Sequence, residues 1–143
     1  MLITAKMLFI LGCCDDGIRD AEDKGLLPLE LDKLTVDFII NNRINLWGIA
    51  VGLQCNRSYN DELESAQENF NDNTNEYYQD FRLALQDLED SWNTRYKFDL
   101  YDEEIPIMTT FAENYLPELI SFLKENEALI VSETEKYYSE DNE

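Results

Sequence analysis

The sequence predicts an all-α protein, a single-domain helical bundle with one long acidic helix. Three observations predict it. Apolar residues in the middle of the chain recur at spacings of 3, 4 and 7, the period of a helix with one buried face. Only 5 Gly and 3 Pro occur among 143 residues, which leaves too little turn chemistry for a many-stranded β protein. The apolar fraction of 44%, with 2 Trp, 8 Tyr and 7 Phe, is too high for a disordered acidic tail. The length suits one domain that buries about two-thirds of its unfolded surface. The expected division is a helical domain over residues 1–138 and an acidic C-terminal tail over residues 139–143.

Residues 3–14 form a mostly apolar segment, followed by the acidic stretch from Asp15 to Asp23 and a stop at Gly25. Leu27-Pro28 then opens a helix, with Pro in the first turn and Glu30 and Asp32 facing the positive end of the helix dipole. Leu31, Leu34, Phe38 and Ile39 lie on its buried face, and Asn41-Asn42 ends it. Residues 44–53 contain Trp47, Ile49 and Val51 with Gly48 and Gly52 spaced so that another helix can approach closely. In a membrane that spacing is a packing motif; in this chain it marks a tightly packed core helix.

Ser58 or Asn60 caps a long helix beginning near Asp61. Leu63, Phe70, Tyr77, Phe81, Leu85, Leu88, Trp92 and Tyr96 give it one buried stripe. The run Asn71-Asp72-Asn73-Thr74-Asn75 consists of poor helix formers, so the sequence leaves continuity through it open. Alternation of Tyr96, Phe98 and Leu100 with polar neighbours predicts a short extended segment near 96–101. Pro106 and Pro117 mark the starts of two C-terminal helices, with Phe111 and Tyr115 on the first and Leu119, Ile120, Leu123 and Ile130 on the second.

Charge is sorted along this framework. Residues 1–60 carry 8 Asp/Glu against 6 Lys/Arg, residues 61–104 carry 14 against 3, and residues 105–143 carry 9 against 2, for a net charge of −20. A small domain stays soluble with a net charge of roughly 2 to 8, and an excess beyond that costs stability through self-repulsion. Within the long helix, Glu64, Glu68, Asp72, Glu76 and Asp80 follow one another every four residues. That spacing advances a helix by about 6 Å and turns it about 400°, so the carboxylates form one slowly winding ridge apart from the apolar stripe. Like charges so placed cost about 0.2 to 0.5 kcal/mol per pair, where Lys four residues after Glu stabilises instead. Asp87, Asp90, Asp102, Glu103 and Glu104 extend the negative surface, and Arg82, Arg95 and Lys97 are the only bases between residues 61 and 104.

A ridge of this kind is the physical equivalent of a nucleic-acid strand, whose neighbouring phosphates stand roughly 6 to 7 Å apart as the strand winds. In charge, size, helical character and acidic ridge the chain resembles the acidic DNA-mimic inhibitors of phages and mobile elements: the Ocr- and ArdA-type anti-restriction proteins and acidic anti-CRISPR proteins. The resemblance is one of kind and carries over no aligned motif. It implies an inhibitor in the cytoplasm of a host cell that occupies the DNA- or RNA-binding channel of a basic protein, a CRISPR effector or a restriction enzyme. It also admits a homodimer. The partner-binding residues expected are Glu64, Glu68, Asp72, Glu76 and Asp80, with Asp87, Asp90, Asp102, Glu103 and Glu104 contributing.

Two other readings stand beside this one. A charge run is also the ordinary appearance of a solvated helix face. An immunity protein or chaperone that neutralises a basic toxin or effector is the second, with Tyr59, Tyr78, Tyr101, Tyr137 or Tyr138 as aromatic anchors. Other classes are disfavoured. The absence of His removes the commonest general base and metal ligand, so no enzyme, cofactor or metal is expected. Asp72-Asn73-Thr74-Asn75-Glu76 lacks the sixth-position Gly and closing Glu of a calcium loop. Basic residues never cluster, which argues against direct nucleic-acid binding. No apolar run approaches a membrane span. The stretch from Lys6 to Cys13 is shorter than a secretion signal core, and three Cys without framework spacing suit a reducing compartment and buried structural roles.

Overall fold

The structure is a computed structural model that describes residues 1–87 and 102–141. Its described part contains seven α-helices and one two-stranded sheet, in agreement with the all-α expectation. The expected extended segment near 96–101, the stripe positions Leu88, Trp92 and Tyr96, and Asp90 lie outside the described residues.

The chain opens with strand β1 (Leu2–Ile3) and helix α1 (Ala5–Leu11), whose first turn is capped by Thr4 accepting from the Met7 amide at 3.2 Å. Gly12 ends α1 at φ 118°, a conformation that L side chains rarely adopt. A Cβ there would also collide with the Cys55 carbonyl oxygen, so glycine is required twice over. Helix α2 (Asp15–Asp23) is capped by the Cys14 sulfur, which accepts from the Gly17 amide at 3.4 Å.

No helix starts at Pro28. Strand β2 (Leu29–Glu30) instead pairs antiparallel with β1, Leu2 opposite Glu30 and Ile3 opposite Leu29, and a 3₁₀ turn over Leu31–Lys33 follows. The helix begins eight residues after Pro28 as α3 (Val36–Asn41), where Thr35 offers a side-chain cap, accepting from the Phe38 amide at 3.1 Å. Asn42 ends it, as its sequence suggested.

Helix α4 (Leu46–Gly52) buries Leu46, Trp47 and Ala50. Its glycines do not face a helix. A Cβ on Gly52 would stand 3.0 Å from the Cys13 Cα, so the close approach is to the turn after α1, whereas Gly48 has nothing within 4 Å.

Helix α5 (Asp61–Gln86) runs unbroken for 26 residues through Asn71 to Asn75. After a 3₁₀ turn at Asp102–Glu104 come α6 (Ile105–Glu125) and α7 (Glu127–Asp141). Pro117 therefore lies inside a helix and does not start one. It lacks the N–H that would bond the Glu113 carbonyl, but it sits on the exposed face, where water reaches that carbonyl. Buried Tyr115, Leu116, Leu119 and Phe122 on either side hold the helix in register. The break falls at Asn126, and the backbone of α7 continues to Asp141, so Ser139 to Asp141 belong to a helix.

One core runs through the molecule, drawn about equally from the segment between Ile3 and Leu53 and from α5 with α6. Phe70 packs edge-on to Tyr115 with centroids 5.5 Å apart and stacks on Phe122 at 5.0 Å, and Phe81 stacks on Phe111 at 4.5 Å. Trp47 from α4 closes one end against Tyr78 and Phe81.

Candidate functional site

The outer face of α5 is fixed by what its inner face buries. Leu63, Phe70, Phe81 and Leu85 are buried, and the seven-residue gaps between apolar positions are filled by buried Gln67 and Thr74. Thr74 satisfies its hydroxyl on its own helix, donating to the Phe70 carbonyl at 2.9 Å. Gln67 donates to the carbonyls of Leu11 at 2.6 Å and Leu53 at 2.8 Å and accepts from the Asn56 amide at 2.7 Å. One side chain thereby ties the ends of α1 and α4 to α5.

The amino end of α5 is anchored twice. Asn60 Oδ1 accepts from the Leu63 amide at 2.9 Å, while its Nδ2 donates to Glu133 of α7 at 3.0 Å. Asp61, Glu62 and Glu64 occupy the first turn, where the helix dipole favours carboxylates.

All five ridge residues, Glu64, Glu68, Asp72, Glu76 and Asp80, are exposed on this one helix. With Leu63 marking the buried direction, Glu64 stands about 100° round the axis, Asp72 about 180° and Asp80 about 260°. The ridge thus crosses the outer face diagonally, from one flank of α5 to the other, over an axial length of about 24 Å. Among the described residues none of these five carboxylates forms an ion pair.

The contributing residues divide. Asp87 and Glu103 are exposed. Asp102 is exposed but engaged, its carboxylate 2.7 Å from Arg43 Nη1, so its charge is offset within the chain. The expectation for Glu104 is corrected: at 2% exposure it is buried at the amino end of α6 and contributes no surface. Three consecutive acidic positions in sequence do not share one face once a 3₁₀ turn rotates them.

Beside the carboxylates runs a neutral row that charge alone does not reveal. Ser65, Asn69 and Asn73, spaced by the same four residues, are exposed and run alongside the acidic ridge. Leu83, 52% exposed, stands beyond them on the same outer face. The four-residue spacing of Ser and Asn was visible in the sequence, and only their exposure was not.

The aromatic anchors also sort. Tyr78 stacks on Trp47, Tyr137 meets Phe9 at 6.1 Å, and Tyr138 lies under the Lys6 ammonium at 4.8 Å, so these three serve internal packing. Tyr59, at 94% exposure, is the one that stands out into solvent; Tyr101 lies outside the described residues.

The cysteines are free thiols, and only Cys13 is buried; Cys14 and Cys55 are exposed. Burial, followed by the neighbouring Cys14, pushes the Cys13 thiol up to about 12, while Arg57 opposes the shift. That thiol is therefore inert at neutral pH. Arg57 is itself structural, donating to the carbonyls of Phe9 at 2.6 Å and Cys13 at 2.7 Å and lying 4.1 Å over the Phe9 ring. No helix among the described residues is long and apolar enough to cross a membrane.

No protein-family model, curated protein or solved structure matches this chain.

Proposed function

We propose that this protein is a nucleic-acid-mimicking inhibitor that blocks the DNA- or RNA-binding channel of a host defence nuclease, a CRISPR effector or a restriction enzyme. The observation that carries it is the exposed carboxylate ridge on an unbroken helix, without an ion pair among the described residues. Each step of four residues advances the ridge by about 40° in the right-handed sense, so it completes a turn in about nine carboxylates. A duplex strand, also right-handed, does so in about ten phosphates. Neighbouring Cβ atoms at this spacing are about 5–6 Å apart, close to the distance between successive phosphates. The axial pitch is longer, about 54 Å against 34–36 Å, so the match holds over a few charges and not over a whole turn.

Arg and Lys side chains that hold phosphate in the target would pair with these carboxylates by charge-assisted hydrogen bonds. Counterion release makes such binding fall steeply with salt. The amide and hydroxyl row at Ser65, Asn69 and Asn73 offers neutral hydrogen-bonding groups beside the charges.

The test is capture of a basic nucleic-acid-binding protein from host lysate at low salt, followed by inhibition of its nuclease activity. Changing Glu68, Asp72 and Glu76 together to Lys is expected to abolish capture and inhibition with helical content unchanged by circular dichroism. Inhibition retained by that folded variant refutes the assignment.

Tyr59 keeps a second reading in view, an immunity protein or chaperone that neutralises a basic toxin or effector. An exposed aromatic at the head of the acidic helix suits an interface with an apolar centre. Binding that survives high salt and is lost on Tyr59→Ala favours it over mimicry.

A further inference from the structure

An apolar cavity of about 490 Å³ opens between α2 and α4, with no lining residue from the acidic helix α5. Its floor is made of Leu11, Ile39, Leu46 and Leu53 with Leu119 and Leu123 of α6, all at most 5% exposed. The volume falls within the range of about 300–1,000 Å³ that small-molecule sites occupy, and the floor reaches the centre of the fold. A floor of side chains at most 5% exposed suits a small molecule inserted among them better than a partner helix laid across the surface.

Two features of the mouth narrow the chemistry. The charged lining residues are Asp16, Asp20 and Lys24, and Lys24 Nζ is 3.0 Å from the Asp20 carboxylate. Two carboxylates against one ammonium, on a protein of net charge −20, oppose an anionic head group. Gly48 is the second feature. It lies inside α4, where glycine weakens a helix, and no atom within 4 Å of its missing Cβ calls for it. It is exposed and lines the opening, so the space in front of it is open to an occupant.

We infer that this cavity is a binding site for an uncharged, mostly hydrocarbon small molecule, entering past Gly48 between α2 and α4. The site is independent of the carboxylate ridge, and either can fail without the other.

The experiment titrates the full chain with the neutral probe N-phenyl-1-naphthylamine and displaces it with dodecan-1-ol or dodecanoate. Saturable binding at one site is expected, with the alcohol displacing at a concentration at least about tenfold lower than the carboxylate. Gly48→Phe is expected to weaken probe binding at least about tenfold while the melting temperature holds. Absence of saturable binding by the wild-type chain overturns the site, as does unchanged binding by a folded Gly48→Phe variant. Equal displacement by dodecanoate overturns the charge selectivity. If Gly48→Phe does not fold, the wild-type titration and the ligand pair decide alone, and Gly48→Ala, which leaves the mouth open, is expected to bind as the wild type does.

Discussion

Gln67 shows how much one polar residue can organise. A glutamine in the middle of a hydrophilic-looking helix gives no sequence signal of burial, yet at 2% exposure it pairs with three partners from two other segments. Removing it takes away the donor to the Leu11 carbonyl, while Asn71 Nδ2 still donates to the Leu53 carbonyl at 3.0 Å, and a carbonyl buried without a partner costs more than the bond itself returned. Gln67→Leu, although apolar and nearly isosteric, is expected to destabilise the protein by about 1–3 kcal/mol in urea unfolding. Cys13 carries a prediction of pH dependence. Its thiol titrates near 9.0 when unperturbed and is pushed up to about 12 in the fold, so the folded state holds its proton longer than the unfolded state. The stabilisation is complete below about pH 9 and is lost as pH rises toward 12. Unfolding free energy measured across that window should fall more steeply for the wild type than for Cys13→Ala.

At the scale of elements, side-chain caps mark where α1 to α5 begin. Asn60 was legible as a cap because a short polar side chain preceded an acidic first turn, and the structure places the Leu63 amide on its Oδ1. Its second bond, to Glu133 across 73 residues, was not legible, since nothing local encodes a distant helix. Asn60→Ala should lower stability by about 1 kcal/mol or more through loss of the cap. Asn60→Asp should keep the cap yet also destabilise, because a carboxylate replaces the amide facing Glu133; thermal melts of the two variants distinguish the contributions. Of the three proline signals, Pro106 stands in the first turn of α6 as expected, while Pro28 and Pro117 misled. Pro28 precedes a strand because β1 offers Leu29–Glu30 a ladder, and Pro117 rides inside α6 because burial on both sides outweighs one missing hydrogen bond. The asparagine-rich stretch likewise stays helical because Phe70, Thr74 and Phe81 bury the face behind it. Weak intrinsic propensity, at tenths of a kcal/mol per residue, is overridden by the burial of large side chains.

Across the whole molecule, stability depends on charge. A net −20 held on 143 residues is self-repulsive, and the ridge adds four like pairs worth on the order of 1–2 kcal/mol at low ionic strength. The melting temperature should therefore rise as salt is added. Changing Glu68, Asp72 and Glu76 to Gln, Asn and Gln should raise it at low salt, and the gap between variant and wild type should close near 1 M salt, where the Debye length is about 3 Å. A variant no more stable than wild type at low salt shows that the ridge imposes no strain. The sequence by itself determined the helical class, the long helix and the carboxylate row, because periodicity and net charge are sums over neighbouring positions that no distant contact can alter. Tertiary structure alone decided that Glu104 is buried and Asp102 paired with Arg43, that Gln67 is a core residue, and that a cavity opens beside Gly48. Each of these depends on segments far apart in the chain meeting in space, and burial is a property of that meeting and not of the residue.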